Sequence, residues 1–198
     1  MKKLLLTAIV CLTTISSVAL AEIKVGIILG FTGPIETLTP AMRDSAKLAF
    51  KEVSDSGALL GGETITTLIG DSTCVDSDAA VAAAELIVSD GAVAIMGADC
   101  SGVTGAIATN VAVPNGVTMV SPSATSPGLT SLADNGLFFR TAPSDAKGGQ
   151  VLAQVALDRG LTSVAVTYTN NDYGKGLADV FEASFTSGCG TVTAVASH

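Results

Sequence analysis

Tryptophan is absent from this 198-residue chain, and histidine occurs once, as the last residue, His198. Chemistry that depends on a positioned imidazole, such as Ser–His or Cys–His catalysis or a histidine-ligated metal, has almost no residue to work with. Aromatic residues make up 4% of the sequence and charged residues 14%. So few charges exclude a bundle of long, ion-paired helices. There is no basic run, and Lys+Arg number 10 against 18 Asp+Glu, for a formal charge of −8. An acidic chain without a basic stripe is a poor partner for phosphate backbones, which excludes nucleic-acid binding as a function class. No nucleotide or nucleophile motif is complete either. Gly26-x-x-x-Gly30-x-x-Gly33 lacks the spacing of a dinucleotide loop, and Pro34 stands where the helix would open. Gly174-Lys175-Gly176 has no Ser or Thr after the lysine, and G-x-S-x-G does not occur. The scattered carboxylates Asp71, Asp76, Asp78 and Asp99 read as caps and turns rather than as ligands of a metal ion. No cofactor is expected.

What is present in quantity is small and apolar. Hydrophobic residues make up 48%, mean hydropathy is +0.56, and 21 glycines are interspersed among Ala, Val and Ile. This composition can bury a core and suits small-residue helices laid on buried strands. At the start, Met1–Lys3 is basic, Leu4–Leu12 is apolar except for Thr7, and Ser16–Ala21 is small and polar, ending Ala19-Leu20-Ala21. That is the three-part pattern of a secretory signal over residues 1–21, with cleavage expected after Ala21. The apolar stretch is shorter than the roughly 20 residues of a membrane span. A lipoprotein signal would use Cys11, but Val10 before it is too bulky for that cleavage. Export places Cys74, Cys100 and Cys189 in an oxidising compartment. Cys74 and Cys100 each follow a predicted strand at the same sheet edge, so a bridge between them is expected, with Cys189 left over. The alternative is two buried, reduced thiols.

Periodicity organises the rest. Ile23–Leu29 (IKVGIIL) reads as a buried strand. Pro40–Val53 reads as a helix with Ala46, Ala49, Phe50 and Val53 on its apolar face. Thr64–Ile69 is a strand, Asp76–Val88 an Ala-rich helix capped by Asp76 or Ser77, and Ala92–Met96 a strand. Ser101–Val111 is a helix and Val117–Val120 a strand. A long loop with two Ser-Pro steps follows over 121–136, then a short extended piece at Phe138–Thr141. Asp145–Asp158 is a helix, Val164–Tyr168 a strand, Gly176–Phe185 a helix and Val192–Val195 a strand. This alternation predicts an α/β fold, a Rossmann-like parallel sheet with helices on both faces over 22–140. A second lobe of the same kind starts at 141–198. With fewer than 60 residues it is small for a core of its own, so it is expected to be incomplete.

Right-handed crossovers put the strand-to-helix turns on one edge, where ligands of open α/β sheets sit. Two stretches at that edge stand out. Asp99-Cys100-Ser101-Gly102 leads from a strand into a helix N-terminus, where free N–H groups and the Ser101 hydroxyl favour an anion. Ser121-Pro122-Ser123-Ala124-Thr125-Ser126-Pro127 follows the next strand, so the hydroxyls of Ser123 and Thr125 can grip a carboxylate together with Ser101. The other reading of the same residues is structural, with Ser101 as a helix cap and the Ser-Pro loop as a rigid connection.

The stretches Ile23–Pro34 (IKVGIILGFTGP), Cys74–Val88, Cys100-Ser101, Gly116–Thr130 (GVTMVSPSATSPGLT), Phe139-Arg140-Thr141 and Asp172-Tyr173-Gly174-Lys175-Gly176 occur in order along the chain. Together they resemble the periplasmic leucine/isoleucine/valine-binding protein family, the substrate-binding components of branched-chain amino-acid ABC transporters. The resemblance implies a type I periplasmic-binding fold whose two lobes close on a ligand, and it too implies a Cys74–Cys100 bridge. It places the ligand α-carboxylate on Ser101 and Thr125, and the α-ammonium on backbone at Ser123, with Ala124 between them. Tyr173 closes from the second lobe. Leu38 falls where the family often carries a larger, aromatic side chain, which leaves the ligand side chain open. The family's acidic partner for the ammonium falls beyond His198. The implied protein is a periplasmic, monomeric, non-catalytic carrier that delivers an amino acid to membrane permease subunits. The competing readings are a sensor ectodomain for small amides or urea on the same fold and an enzyme at the same sheet edge.

Overall fold

The computed structural model describes residues 22–198. The signal read over 1–21, with Cys11, lies outside the described residues. Among those described, no helix is long and apolar enough to cross a membrane.

The β-branched run at the start forms β1 (Glu22–Leu29), whose Ile27, Ile28 and Leu29 are fully buried. Consecutive residues can all be buried only where both faces of a strand are covered, and β1 lies inside a five-stranded sheet of order β2-β1-β3-β4-β5. Its partners are β2 (Thr64–Asp71), β3 (Ala94–Gly97), β4 (Thr118–Ser121) and β5 (Phe138–Arg140), and every pairing is parallel. The crossovers are α1 (Thr39–Asp55), α2 (Ser77–Ser89) and α3 (Ser101–Ile107), the last continuing as a π turn over Ala108–Ala112. The second sheet pairs β6 (Ser163–Tyr168) with β7 (Thr191–Ser197), again parallel, around α5 (Asp172–Ser187). It is reached through α4 (Ala146–Asp158). The fold is the expected α/β class with parallel sheets.

Glycine sets how closely α2 approaches the first sheet. A Cβ at Gly26 of β1 would lie 2.6 Å from Cγ2 of Ile87, and one at Gly70 of β2 would lie 2.8 Å from its Cδ1. The two glycines form a slot on adjacent strands, and Ile87, only 5% exposed, fills it. Asp76 caps α2 as read, its Oδ1 accepting from the N–H groups of Asp78 and Ala79, both at 3.0 Å. Cys74 and Cys100 form a disulfide, and Cys189 is a free, exposed thiol.

The sequence reading needs correction in four places. On the apolar face of α1, Ala46 and Phe50 are half-buried, but Ala49 and Val53 are exposed. This helix covers the edge strand β2, so part of its stripe overhangs the sheet margin. The helix expected over 101–111 changes to π geometry after Ile107. The loop over 121–136 contains a 3-10 turn at Pro127–Ser131. Finally, α5 begins at Asp172, four residues before the expected start, because the Asn171 side chain accepts from the Gly174 N–H at 2.8 Å and caps it. Tyr173 is therefore in the first helical turn.

Candidate functional site

The carboxyl edge of the first sheet is wired by short polar side chains. Asp71, at the end of β2, accepts from the N–H groups of Phe31 (3.0 Å), Thr32 (3.3 Å) and Thr73 (2.8 Å) and from the Thr32 hydroxyl (2.7 Å). Partial burial pushes its pKa up. The Thr32 hydroxyl and the three N–H groups outweigh that and hold the carboxyl below its ordinary value. Asp99, after β3, is 4% exposed. Its carboxylate accepts from the N–H groups of Gly30 (2.8 Å) and Cys100 (2.9 Å), with the Ser72 hydroxyl at 3.4 Å. The ends of β1, β2 and β3 thus share one buried carboxylate.

The loop after β4 is built from its own hydroxyls. Ser121 Oγ donates to the Ala98 carbonyl at 2.5 Å and accepts from the Ala124 N–H at 3.0 Å. Ser123 Oγ donates to the Asp99 carbonyl at 3.0 Å, which commits the hydroxyl that the sequence reading left free for a ligand. Ala124 is buried, with its N–H and its carbonyl both engaged within the protein. Thr125 is half-buried, and its carbonyl accepts from the Asp145 N–H at 3.0 Å.

Ser101 is the junction between this loop and α3. It is 3% exposed, and its hydroxyl makes no capping bond. Instead Ser101 Oγ accepts from the Ser126 N–H at 3.1 Å. The structural reading of Ser101 as a cap is therefore wrong. A serine that accepts through oxygen keeps its proton for another acceptor, and no such acceptor is found among the described residues. The Ser101 and Thr125 stretches meet as expected, through the peptide that joins Thr125 to Ser126.

Ser101 lines a crevice of about 520 Å³ between the two sheets' elements, together with Ser126, Pro127, Asp172, Lys175 and Gly176. The first turns of α5 close against it. A Cβ at Gly176 would lie 2.8 Å from Ser126 Oγ and 2.9 Å from Pro127 Cδ. Lys175 is ion-paired to Asp179 at 2.6 Å, and the hydrogen bond and charge of that carboxylate raise the lysine pKa. Tyr173 and Leu38 do not join Ser101. Tyr173 is 47% exposed and lines a separate groove of about 450 Å³ with Leu152, Val166, Leu177 and Phe181. Leu38, 61% exposed, stands at the entry to α1. The sequence reading missed Asp99, Ser126 and Arg140 as organisers. For Arg140 a signal existed: a lone cation ending the apolar piece Phe138-Phe139-Arg140.

Parallel sheets joined by a single crossing, with hydroxyls and N–H groups gathered at the carboxyl edge beside a crevice, are the architecture of the type I periplasmic-binding fold. A model of the periplasmic binding protein family matches residues 22–198, and the chain belongs to that family. It is 32% identical over 187 residues to the Leu/Ile/Val-binding protein BraC3 of Rhizobium johnstonii, covering 94% of this chain and 50% of that protein. A leucine-binding protein, LivK, from Thermotoga maritima superposes with a TM-score of 0.75 at 28% identity, covering 88% of this chain and 48% of that one. The branched-chain amino-acid transporter binding protein LivJ of Streptococcus pneumoniae, solved with isoleucine, gives 0.73 at 26% identity, covering 90% and 50%. The chain spans about half the length of the curated relatives it matches.

Proposed function

We propose that this chain carries the carboxylate-binding lobe (22–140) and part of the closing lobe (141–198) of an amino-acid binding protein serving an ABC importer. Residues 1–21 direct it to the periplasm, and it hands its ligand to membrane permease subunits without altering it. The ligand is a branched-chain or other neutral amino acid. The observation that carries this reading is the Ser101 hydroxyl, which accepts from the Ser126 N–H and retains its proton at the wall of the crevice, beside the Thr125 loop. Ser101 and Thr125 donate to the ligand carboxylate, backbone at Ser123 lies along the ammonium with Ala124 packed beneath the loop, Leu38 meets the side chain and Tyr173 closes late.

Membership of a family of binding proteins, and relatives whose names specify leucine, isoleucine and valine, support the ligand class. A hydroxyl hydrogen bond to a charged group is worth roughly 1.5–3 kcal/mol. Ser101→Ala or Thr125→Val should therefore weaken L-leucine binding about 10–100-fold, as measured by isothermal titration calorimetry. Undiminished affinity in both variants refutes the assignment of the site. Turnover of an amino-acid ester or amide by the purified chain would refute the carrier reading itself.

A further inference from the structure

Arg140 ends β5, and its guanidinium engages the Ser121–Pro127 loop. Nη1 donates to the carbonyls of Ser126 (2.8 Å) and Ala124 (3.3 Å), and Nη2 donates to the Thr130 hydroxyl at 2.5 Å. The two carbonyls flank Thr125. Between them, the peptide joining Thr125 to Ser126 is held at both ends: its carbonyl accepts from the Asp145 N–H, and its N–H donates to Ser101 Oγ. Arg140 thus fixes the backbone on either side of the threonine, and through Ser126 the orientation of the Ser101 hydroxyl.

Its charge is the second observation. Arg140 is half-buried, yet among the described residues the ion pairs are Arg43–Asp44, Lys51–Asp55 and Lys175–Asp179, and none includes it. Asp145, whose N–H donates to the Thr125 carbonyl, makes no ion pair with Arg140 and has a buried Oδ2 without a hydrogen-bond partner. A guanidinium stays protonated in any protein, and here it donates only to neutral oxygens and has no ion-pair partner among the described residues. A partly buried charge of this kind is favourable when an anion arrives beside it.

We propose that Arg140 is the positioning and charge-selecting residue of the carboxylate site: its planar fork sets the peptides around Thr125, and its charge makes the loop prefer a carboxylate to a neutral amide. The inference rests on the reading of Ser101 and Thr125 as the carboxylate grip. Binding of L-leucine and of L-leucinamide to the full chain, to Arg140→Gln and to Arg140→Lys is measured by calorimetry. Amide hydrogen exchange at Ser126 is followed in the same three proteins without ligand. Arg140→Gln should weaken leucine about tenfold or more, leucinamide much less, and speed exchange at Ser126. Arg140→Lys keeps the charge but not the fork, so it should recover the acid-over-amide ratio and only part of the Ser126 protection. Equal losses for leucine and leucinamide in the Gln variant would overturn the charge selection. Unchanged affinity together with unchanged Ser126 exchange would overturn the inference as a whole. If the unaltered chain takes up neither compound, the functional reading fails, and the exchange data decide the positioning role: unchanged protection in Arg140→Gln overturns it.

Discussion

Asp71, half-buried, collects four hydrogen bonds and so reports on the rim. A carboxyl whose pKa is lower folded than unfolded contributes stability above its unfolded pKa. It loses that contribution as the pH falls through the folded value. Asp71→Asn should therefore have a lower Tm than the unaltered protein near neutral pH, and the gap should close below the ordinary carboxylate range. A gap that stays constant into that range would show that the charge on Asp71 plays no part. Tyr173 poses a different residue-scale question. It stands on α5, away from the crevice that Ser101 lines, so contact with a ligand requires movement of the second sheet's elements. Tyr173→Ala should speed dissociation of L-leucine in stopped-flow measurements and leave association nearly unchanged. An equal fall in the association rate would make it part of the first encounter.

At the scale of elements, the strands were legible because β-branched apolar runs bounded by Gly and Asp have few other ways to fold. Helix α2 was legible from its cap. The start of α5 was not, because Gly174 and Gly176 resemble turn residues. Their actual constraint is proximity: a Cβ at Gly174 would lie 2.3 Å from the Thr169 carbonyl oxygen, and one at Gly176 would press on Pro127. Sequence shows that a glycine is present and not what passes beside it. The same limit hid the fate of the site hydroxyls. Residue type marked Ser101, Ser123 and Thr125 alike, but only the fold shows that Ser123 is bound to the Asp99 carbonyl while Ser101 retains its proton. Close approach also governs α4 on α5, where a Cβ at Gly149 would meet Val180 Cβ at 3.0 Å and the Phe181 nitrogen at 3.2 Å. Backbone cannot rotate out of the way, so Gly149→Ala should push the helices apart. Its cost in urea unfolding should be about 1–3 kcal/mol. A neutral or stabilising result would mean that this interface is loose.

At the scale of the whole molecule, the Cys74–Cys100 bridge closes a sequence separation of 26 residues that contains all of α2 and β3. On the chain-entropy account, a loop of that length stabilises by about 3–4 kcal/mol. Reduction should lower the Tm, and peptide mapping without reductant should recover Cys74 joined to Cys100, with Cys189, among the described residues, open to alkylation. A peptide joining Cys189 to either partner would contradict this pairing. The bridge can staple the rim only if the helix between its cysteines stays in place. A helix resting on a sheet has one soft degree of freedom, travel along the strands, and Ile87 seated between Gly26 and Gly70 acts as a detent against it. Alignment at the ligand edge is therefore inherited from a notch beneath α2. A methyl group added at Gly26, which lines no part of the crevice, would crowd Ile87 in that notch and press on the helix that the bridge spans.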